Sequence, residues 1–432
     1  MDNKKLIKNI IIGSILITLI LIGAYFYFTK PKVGDIVYDE QGNPYIFGET
    51  PADNNPDNTG NGDNIPYGGE YDDNGNLINI NKLRQITAEP TAGFVLAQDK
   101  DGDAVVKYIE KATGHIYETK LGLTNKKRIS GTTLPRIQDA VWLDEKSLII
   151  RYLDEEEVIK SFYAEIIAED QNLDEKTDGK IEGVFLQDDI KELVKAGTKI
   201  FYLLVDGGGA KGIASDPDGE NKEQIFISSL GEWLVQRPQK GFLTFTTKPS
   251  ADVLGSLYFF DTNNENMKKI LGGVRGLTTL ANNDMTKVLF SENLKMQVYD
   301  VKENKSSNLL RTLAEKCVWS VGGVSVYCGV PIHPEDTHYP DAWYKGQVSF
   351  SDNIWKIDME NIFSESLTSD YFDIELDVIK PALSLSDDYL VFINKKDSSL
   401  WSLTLSMIED VVVPEETSVS ETTDVIAPSE DN

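Results

Sequence analysis

The residues best equipped for chemistry lie in one stretch, GVPIHPEDTHYPDAWYKGQVSFSD, which holds two of the chain's three histidines. His333, Glu335, Asp336 and His338 offer two imidazoles and two carboxylates, a donor set suited to zinc or another divalent cation. Such spacing on an irregular loop fixes no ligand geometry, so a solvated polar turn is the simpler reading. Tyr339, Trp343 and Tyr344 follow at once. With His333 and His338 they make a candidate binding loop, because large amphipathic rings held outward by a rigid scaffold anchor protein or sugar faces. Folded back, the same rings would cover a sheet edge as a satellite core, and the sequence leaves both arrangements open.

Other constellations carry less. Cys317 and Cys328 flank Gly322-Gly323, and a two-residue turn there would pair 317 with 328 across a hairpin. They read as a disulfide in an oxidising exterior or as two free buried thiols. The simple register makes them a hydrogen-bonded pair, the wider spacing, unless a bulge intervenes. Asp99, Asp101 and Asp103 in DKDGD resemble a calcium loop superficially but lack the distal glutamate, so a hairpin turn is expected. Gly207 to Gly212, GGGAKG, has the glycines of a phosphate loop without its terminal Lys-Ser/Thr, and reads as a turn. His115 is expected on a strand. No cofactor is implied, and no nucleophile-base constellation stands out.

What must position these residues follows from composition. The 432-residue chain is 41% hydrophobic, enough for a packed core, and its 42 basic against 70 acidic residues give a formal charge of −28. That charge repels phosphate backbones and argues against a nucleic-acid partner. Residues 9–29 carry no charge and are long enough for a transmembrane helix. Lys4, Lys5 and Lys8 precede them, so residues 1–8 are expected in the cytoplasm and the bulk outside it, on the cell membrane as a single-pass protein. A cleaved signal peptide is the rival reading. Residues 30–82, rich in Asn, Asp, Gly and Pro, read as a flexible linker, and residues 406–432 as an acidic disordered tail. YDEQGN at Tyr38 and YDDNGN at Tyr71 resemble each other, either by chance or as two small hairpins.

Between linker and tail, residues 83–405 show short apolar or alternating runs bounded by Gly, Asn and Asp. Only DDIKELVKAG, near Asp188, has helical periodicity. One unit recurs: a strand with an aromatic, a polar turn, then a strand with Tyr or Trp. The first aromatics are Tyr108, Tyr152, Tyr202, Phe245, Phe290, Tyr327 and Phe392; the partners are Tyr117, Tyr163, Tyr258, Tyr299, Trp355 and Trp401, with the third repeat degenerate near Ile213. Seven repeats at propeller-blade length predict an all-β, seven-bladed β-propeller, six or eight blades remaining open. Tyr327 and Trp355 stand 28 residues apart, so the sixth blade carries the histidine-bearing stretch as an insertion. Leu83 to Thr87, LRQIT, is expected to complete the last blade, with VVV at Val411 as competitor.

The segments VWSVGGVSVY, LSLSDDYLVF, QVYD and IWKID resemble the blade repeat of TolB-like and WD-repeat-like propellers. The resemblance implies the fold, and a partner-binding scaffold or the gating domain of a prolyl-oligopeptidase-type enzyme. No α/β domain ahead of the repeats and no Gly-x-Ser-x-Gly after them is seen, so the peptidase activity does not carry over. The expectation is a membrane-anchored extracytoplasmic scaffold that binds a protein or envelope polymer; the alternative is a carbohydrate- or peptide-active enzyme with its site in the central mouth.

Overall fold

Strands buried on both faces read as continuous apolar runs, and the strands carrying the repeat aromatics are of this kind: SLIIRYL, KVLFSE and YLVFIN are largely buried along their length. The computed structural model describes residues 82–405 except 125, 168–178, 239–240 and 372–373, together with the backbone of Glu70–Tyr71 and Leu77–Ile78. All belong to the unit Pro66–Asn432. Seven four-stranded antiparallel sheets follow one another along the chain. Their inner strands are Thr91–Gln98, Ile137–Trp142, Ile190–Ala196, Trp233–Gln236, Thr278–Ala281, Cys317–Trp319 and Val378–Leu383, for blades 1 to 7.

A lone blade leaves both faces of its sheet uncovered, so burial has to come from its neighbours. Each of seven apolar clusters joins two consecutive blades. Phe201 and Phe226 of blade 3 pack with Trp233 and Phe245 of blade 4, for instance, and Val106 and Tyr108 of blade 1 with Val391 and Ile393 of blade 7. The last of these closes the ring. Leu83–Thr87 pairs antiparallel with Leu400–Thr404 as the outer strand of blade 7, as the sequence implied. The molecule is a seven-bladed β-propeller.

Several expectations change. The sequence repeat begins one strand late, because its first aromatics lie on the second strand of each blade, and the inner strands, shorter in blades 4 to 6, escaped the pattern. Ile190–Ala196 is an inner strand rather than a helix: its 3.6-like spacing is overridden by pairing with Lys199–Asp206. The two-residue strands Glu70–Tyr71 and Leu77–Ile78 pair antiparallel, Glu70 opposite Ile78 and Tyr71 opposite Leu77. The YDEQGN fragment, residues 9–29, the tail and Val411 lie outside the described residues. Among the described residues no helix is long and apolar enough to cross a membrane.

Cys317 and Cys328 are directly opposed and disulfide-bonded. The turn spans four residues, since the Ser320 amide donates to the Ser325 carbonyl. That keeps the 317–328 register but shifts the alternation by one, making the cysteines a non-hydrogen-bonded pair with Cα atoms 4.1 Å apart. The close spacing suits a bridge. With the cysteines at a sequence separation of 11, the chain-entropy model assigns about 3 kcal/mol to the crosslink. The C317A/C328A variant should therefore unfold at lower urea, with an m-value no lower than the parent's; a midpoint equal to that of the oxidised protein would refute the assignment.

Candidate functional site

The insertion runs between the second and third strands of blade 6, Ser325–Pro331 and Asp352–Asp358, and contains one short helix, Asp341–Tyr344. Tyr339 and Trp343 are only 3% and 4% exposed and pack with Phe350, Leu294 and Leu313 as an apolar cluster of their own. Ring centroids of Phe350 stand 5.3 Å from Tyr339 and 5.9 Å from Trp343. These two rings therefore fold back as a satellite core. The insertion also reaches blade 4: the Ala251 amide donates to Asp341 Oδ2 at 2.6 Å, and His338 Nδ1 lies 3.6 Å from Asp252. Gly276 permits the approach, because its φ of +60° suits glycine and a Cβ there would lie 2.6 Å from the Tyr339 carbonyl.

Beneath the insertion lies an ion cluster that is fully buried. Lys316 Nζ sits 2.6 Å from Asp377 Oδ1, 2.8 Å from Asp352 Oδ2 and 3.0 Å from the Val378 carbonyl, with the Trp343 and Phe350 rings each 4.9 Å away. Asp377 also accepts the Trp343 indole N–H at 2.9 Å, the Ser349 hydroxyl and the Phe350 amide. Burial pushes the Asp377 carboxyl up, yet the Lys316 ammonium and these donors outweigh it and hold it below the usual range. Asp352 has fewer donors: one oxygen is unsatisfied, and burial pushes it up to about 6 against the pull of Lys316. The cluster ties the inner strand of blade 7 and the short helical turn Ala314–Lys316 to the insertion.

On the same face the inner strands crowd charge toward the ring axis. Their ladders shift register between Ile137 and Asp139, between Ile190 and Glu192, and between Ile379 and Ala382. A bulge re-aims a side chain that strict alternation would send into a sheet face. Lys380, at φ +49°, consequently reaches from blade 7 past blade 1 to Asp139 of blade 2, at 2.5 Å. Glu192 is desolvated by burial and pushed up to about 7. Glu315 is pushed up to about 7 by burial as well, although it accepts the Tyr344 hydroxyl at 2.5 Å. Burial first, then Glu315, drives the Tyr344 phenol upward, and Glu192 lies within its electrostatic reach. The mouth thus gathers Asp139, Glu192, Glu315, Tyr344 and Lys380.

Of the residues singled out from sequence, His333, Glu335, Asp336 and His338 are exposed and are not assembled: among the described residues no three His, Cys, Asp or Glu side chains form a metal-holding group. Tyr344 stays partly exposed. Asp99 organises a hairpin turn by accepting the Asp101 and Asp103 amides and pairing with Lys120 at 2.6 Å. Gly207 and Gly208 form the turn between Lys199–Asp206 and Gly209–Ser215. His115 stands just before the strand Ile116–Lys120, not on it. Sequence reasoning missed Glu192, Glu315, Lys316, Asp352 and Asp377. The available signal was positional: Lys316 and Asp377 each immediately precede an apolar inner strand.

No protein-family model matches the chain, and no curated protein matches it. Among solved structures it is similar to the tricorn protease (12% identity, TM-score 0.33, 75% of this chain and 37% of that one). It is similar too to an oligogalacturonate lyase in complex with manganese (12%, 0.43, 74% and 97%) and to TolB from Acinetobacter baumannii (13%, 0.39, 72% and 78%). The chain thus spans little more than a third of the tricorn protease. Likeness at this level assigns no activity; the blade order itself establishes the fold.

Proposed function

We propose that this chain is an extracytoplasmic binding module, anchored to the cell membrane through residues 9–29 and presenting the insertion-bearing face of its propeller to a protein or envelope polymer. The observation that carries this reading is the construction of the insertion. Tyr339, Trp343 and Phe350 are locked over the Lys316 cluster, while Ile332, His333, Glu335, Asp336, His338 and Tyr344 remain at the surface. A loop held this way loses little freedom on binding, which is how a rigid scaffold gains affinity. The mouth favours a second reading, because two carboxylates pushed up to about 7 exchange protons near neutral pH, as a carbohydrate- or peptide-active enzyme needs.

Photocrosslinking of the full-length protein in its native membrane separates the two. A photoreactive residue at position 332 should give a discrete adduct, and the His333→Ala/His338→Ala variant, which removes two exposed side chains, should lose about tenfold in yield, the scale of one interface anchor, with unchanged thermal stability. An undiminished adduct, or none, would refute the binding reading. Turnover of a glycan or peptide that is abolished by Glu192→Gln or Glu315→Gln would replace it with the enzyme.

A further inference from the structure

A cavity of about 260 Å³ opens between blades 3 and 4. Leu203 and Val205, on the second strand of blade 3, and Trp233, on the inner strand of blade 4, supply apolar walls. Trp233 is fixed in place, its indole N–H donating to the Leu230 carbonyl at 3.0 Å. Glu192 borders the same space, turned there by the bulge in its strand. Its carboxylate makes no hydrogen bond or ion pair among the described residues. Two cations act on it electrostatically without bonding to it: Lys248, which pairs with Glu232 at 2.7 Å, and Arg151, which donates to the Ile190 carbonyl and whose Nε is buried without a partner. Lys191 is exposed on the rim.

We propose that this cavity is a binding site for a cationic group on an apolar stem, an ammonium or guanidinium whose methylenes lie along Leu203, Val205 and Trp233 and whose head pairs with Glu192. A half-buried carboxylate without a hydrogen bond is costly, and a charge-assisted hydrogen bond from such a head is the interaction that would relieve it. The apolar walls select the stem, as they would for a lysine or arginine side chain. The volume, just below that of drug-sized sites, fits one such side chain. Burial pushes Glu192 up against the pull of Arg151 and Lys248, in keeping with an acid that accepts no hydrogen bond. This site does not depend on the binding role given to the insertion.

Saturation-transfer NMR on the full chain in detergent, with N-acetyl-lysine methylamide, N-acetyl-arginine methylamide and the neutral norleucine analogue as probes, tests the site. Saturation should reach the stem methylenes of a cationic probe, and which of the two responds distinguishes ammonium from guanidinium. The norleucine analogue and the Glu192→Gln variant should each bind about tenfold more weakly or not at all. Glu192→Gln should melt no lower than the parent, because it removes a desolvated charge that accepts no hydrogen bond; a merely structural glutamate would show the reverse. Gly231→Val, which fills the cavity from its wall beside Val205, should abolish transfer without altering charge. Silence from both cations, equal transfer to norleucine, or transfer that survives Glu192→Gln would overturn the proposal.

Discussion

Shortening the chain to begin at residue 89 is expected to abolish cooperative folding, whereas a chain beginning at residue 82 should keep the parent's thermal stability. The difference is one strand. Leu83–Thr87 pairs Leu83 with Leu403, Arg84 with Ser402 and Gln85 with Trp401, and supplies the outer edge of blade 7. Leu83 is buried in the cluster between blades 6 and 7, and Ile86 packs in the one between blades 7 and 1. Arg84 donates to the Leu123 carbonyl of blade 1. Losing one buried leucine costs about 2–5 kcal/mol, and several ladder hydrogen bonds at about 1 kcal/mol each bring the total near the stability of an ordinary domain. The open edge left on Leu400–Thr404 would also invite pairing between chains. Attaching residues 82–88 after residue 405 through a short Gly/Ser linker should restore folding, since the strand's place in space matters rather than its place in the chain. Melting and limited proteolysis of the three chains decide the matter. A residue-89 chain that melts with the parent would show that the seam does not hold the ring.

The strand that closes the ring was legible in the sequence because the signal was one of accounting: LRQIT has strand character and sits where no blade had yet begun, and the last repeat ends without an outer strand. The blade count was legible for a similar reason. Second strands, covered on both faces, are apolar along most of their length and carry large rings such as Tyr108, Phe245 and Phe392, each fully buried. The inner strands were not legible. Their bulges at Asp139, Glu192 and Lys380 break the alternation on which a strand is recognised, and those breaks bring the mouth together. The insertion was found by its length, but its internal order was not. Trp343 is a buried donor to Asp377, 34 residues away, and nothing local to DAWY announces that partner. The histidines drew attention by rarity, whereas the ions that organise the site, Lys316, Asp352 and Asp377, are common residue types whose meaning comes only from burial.

Replacing Lys316 with methionine should cost about 3–5 kcal/mol at pH 8, the penalty for leaving a buried charge without its partner. Two carboxylates would then share a dry space. Asp352, already pushed up to about 6 with the lysine present, would move further upward and retain its proton. The sign of the pH dependence follows. A carboxyl with a folded-state pKa above its unfolded value of about 3.9 binds more protons in the folded state, so stability falls as pH rises through that window. The gap between Lys316→Met and the parent should accordingly be small near pH 4 to 5 and reach its full size above the variant's raised pKa. Lys316→Met/Asp352→Asn should recover part of the loss, by removing one of the two surplus charges. Asp377 cannot be exchanged so cheaply: Asp377→Ala would also orphan the Trp343 indole N–H, the Ser349 hydroxyl and the Phe350 amide, and should cost more than Asp352→Ala, which orphans the Val378 amide. Because those three donors belong to the insertion, Asp377→Ala should release that segment before the ring melts. Faster hydrogen exchange at the Trp343 indole, with exchange in the second strands unchanged, is the expected signature. A Lys316→Met protein within about 1 kcal/mol of the parent at pH 8 would mean that the aromatic cluster holds the insertion without the ions, for the loss would then fall below the range that breaking a buried pair produces.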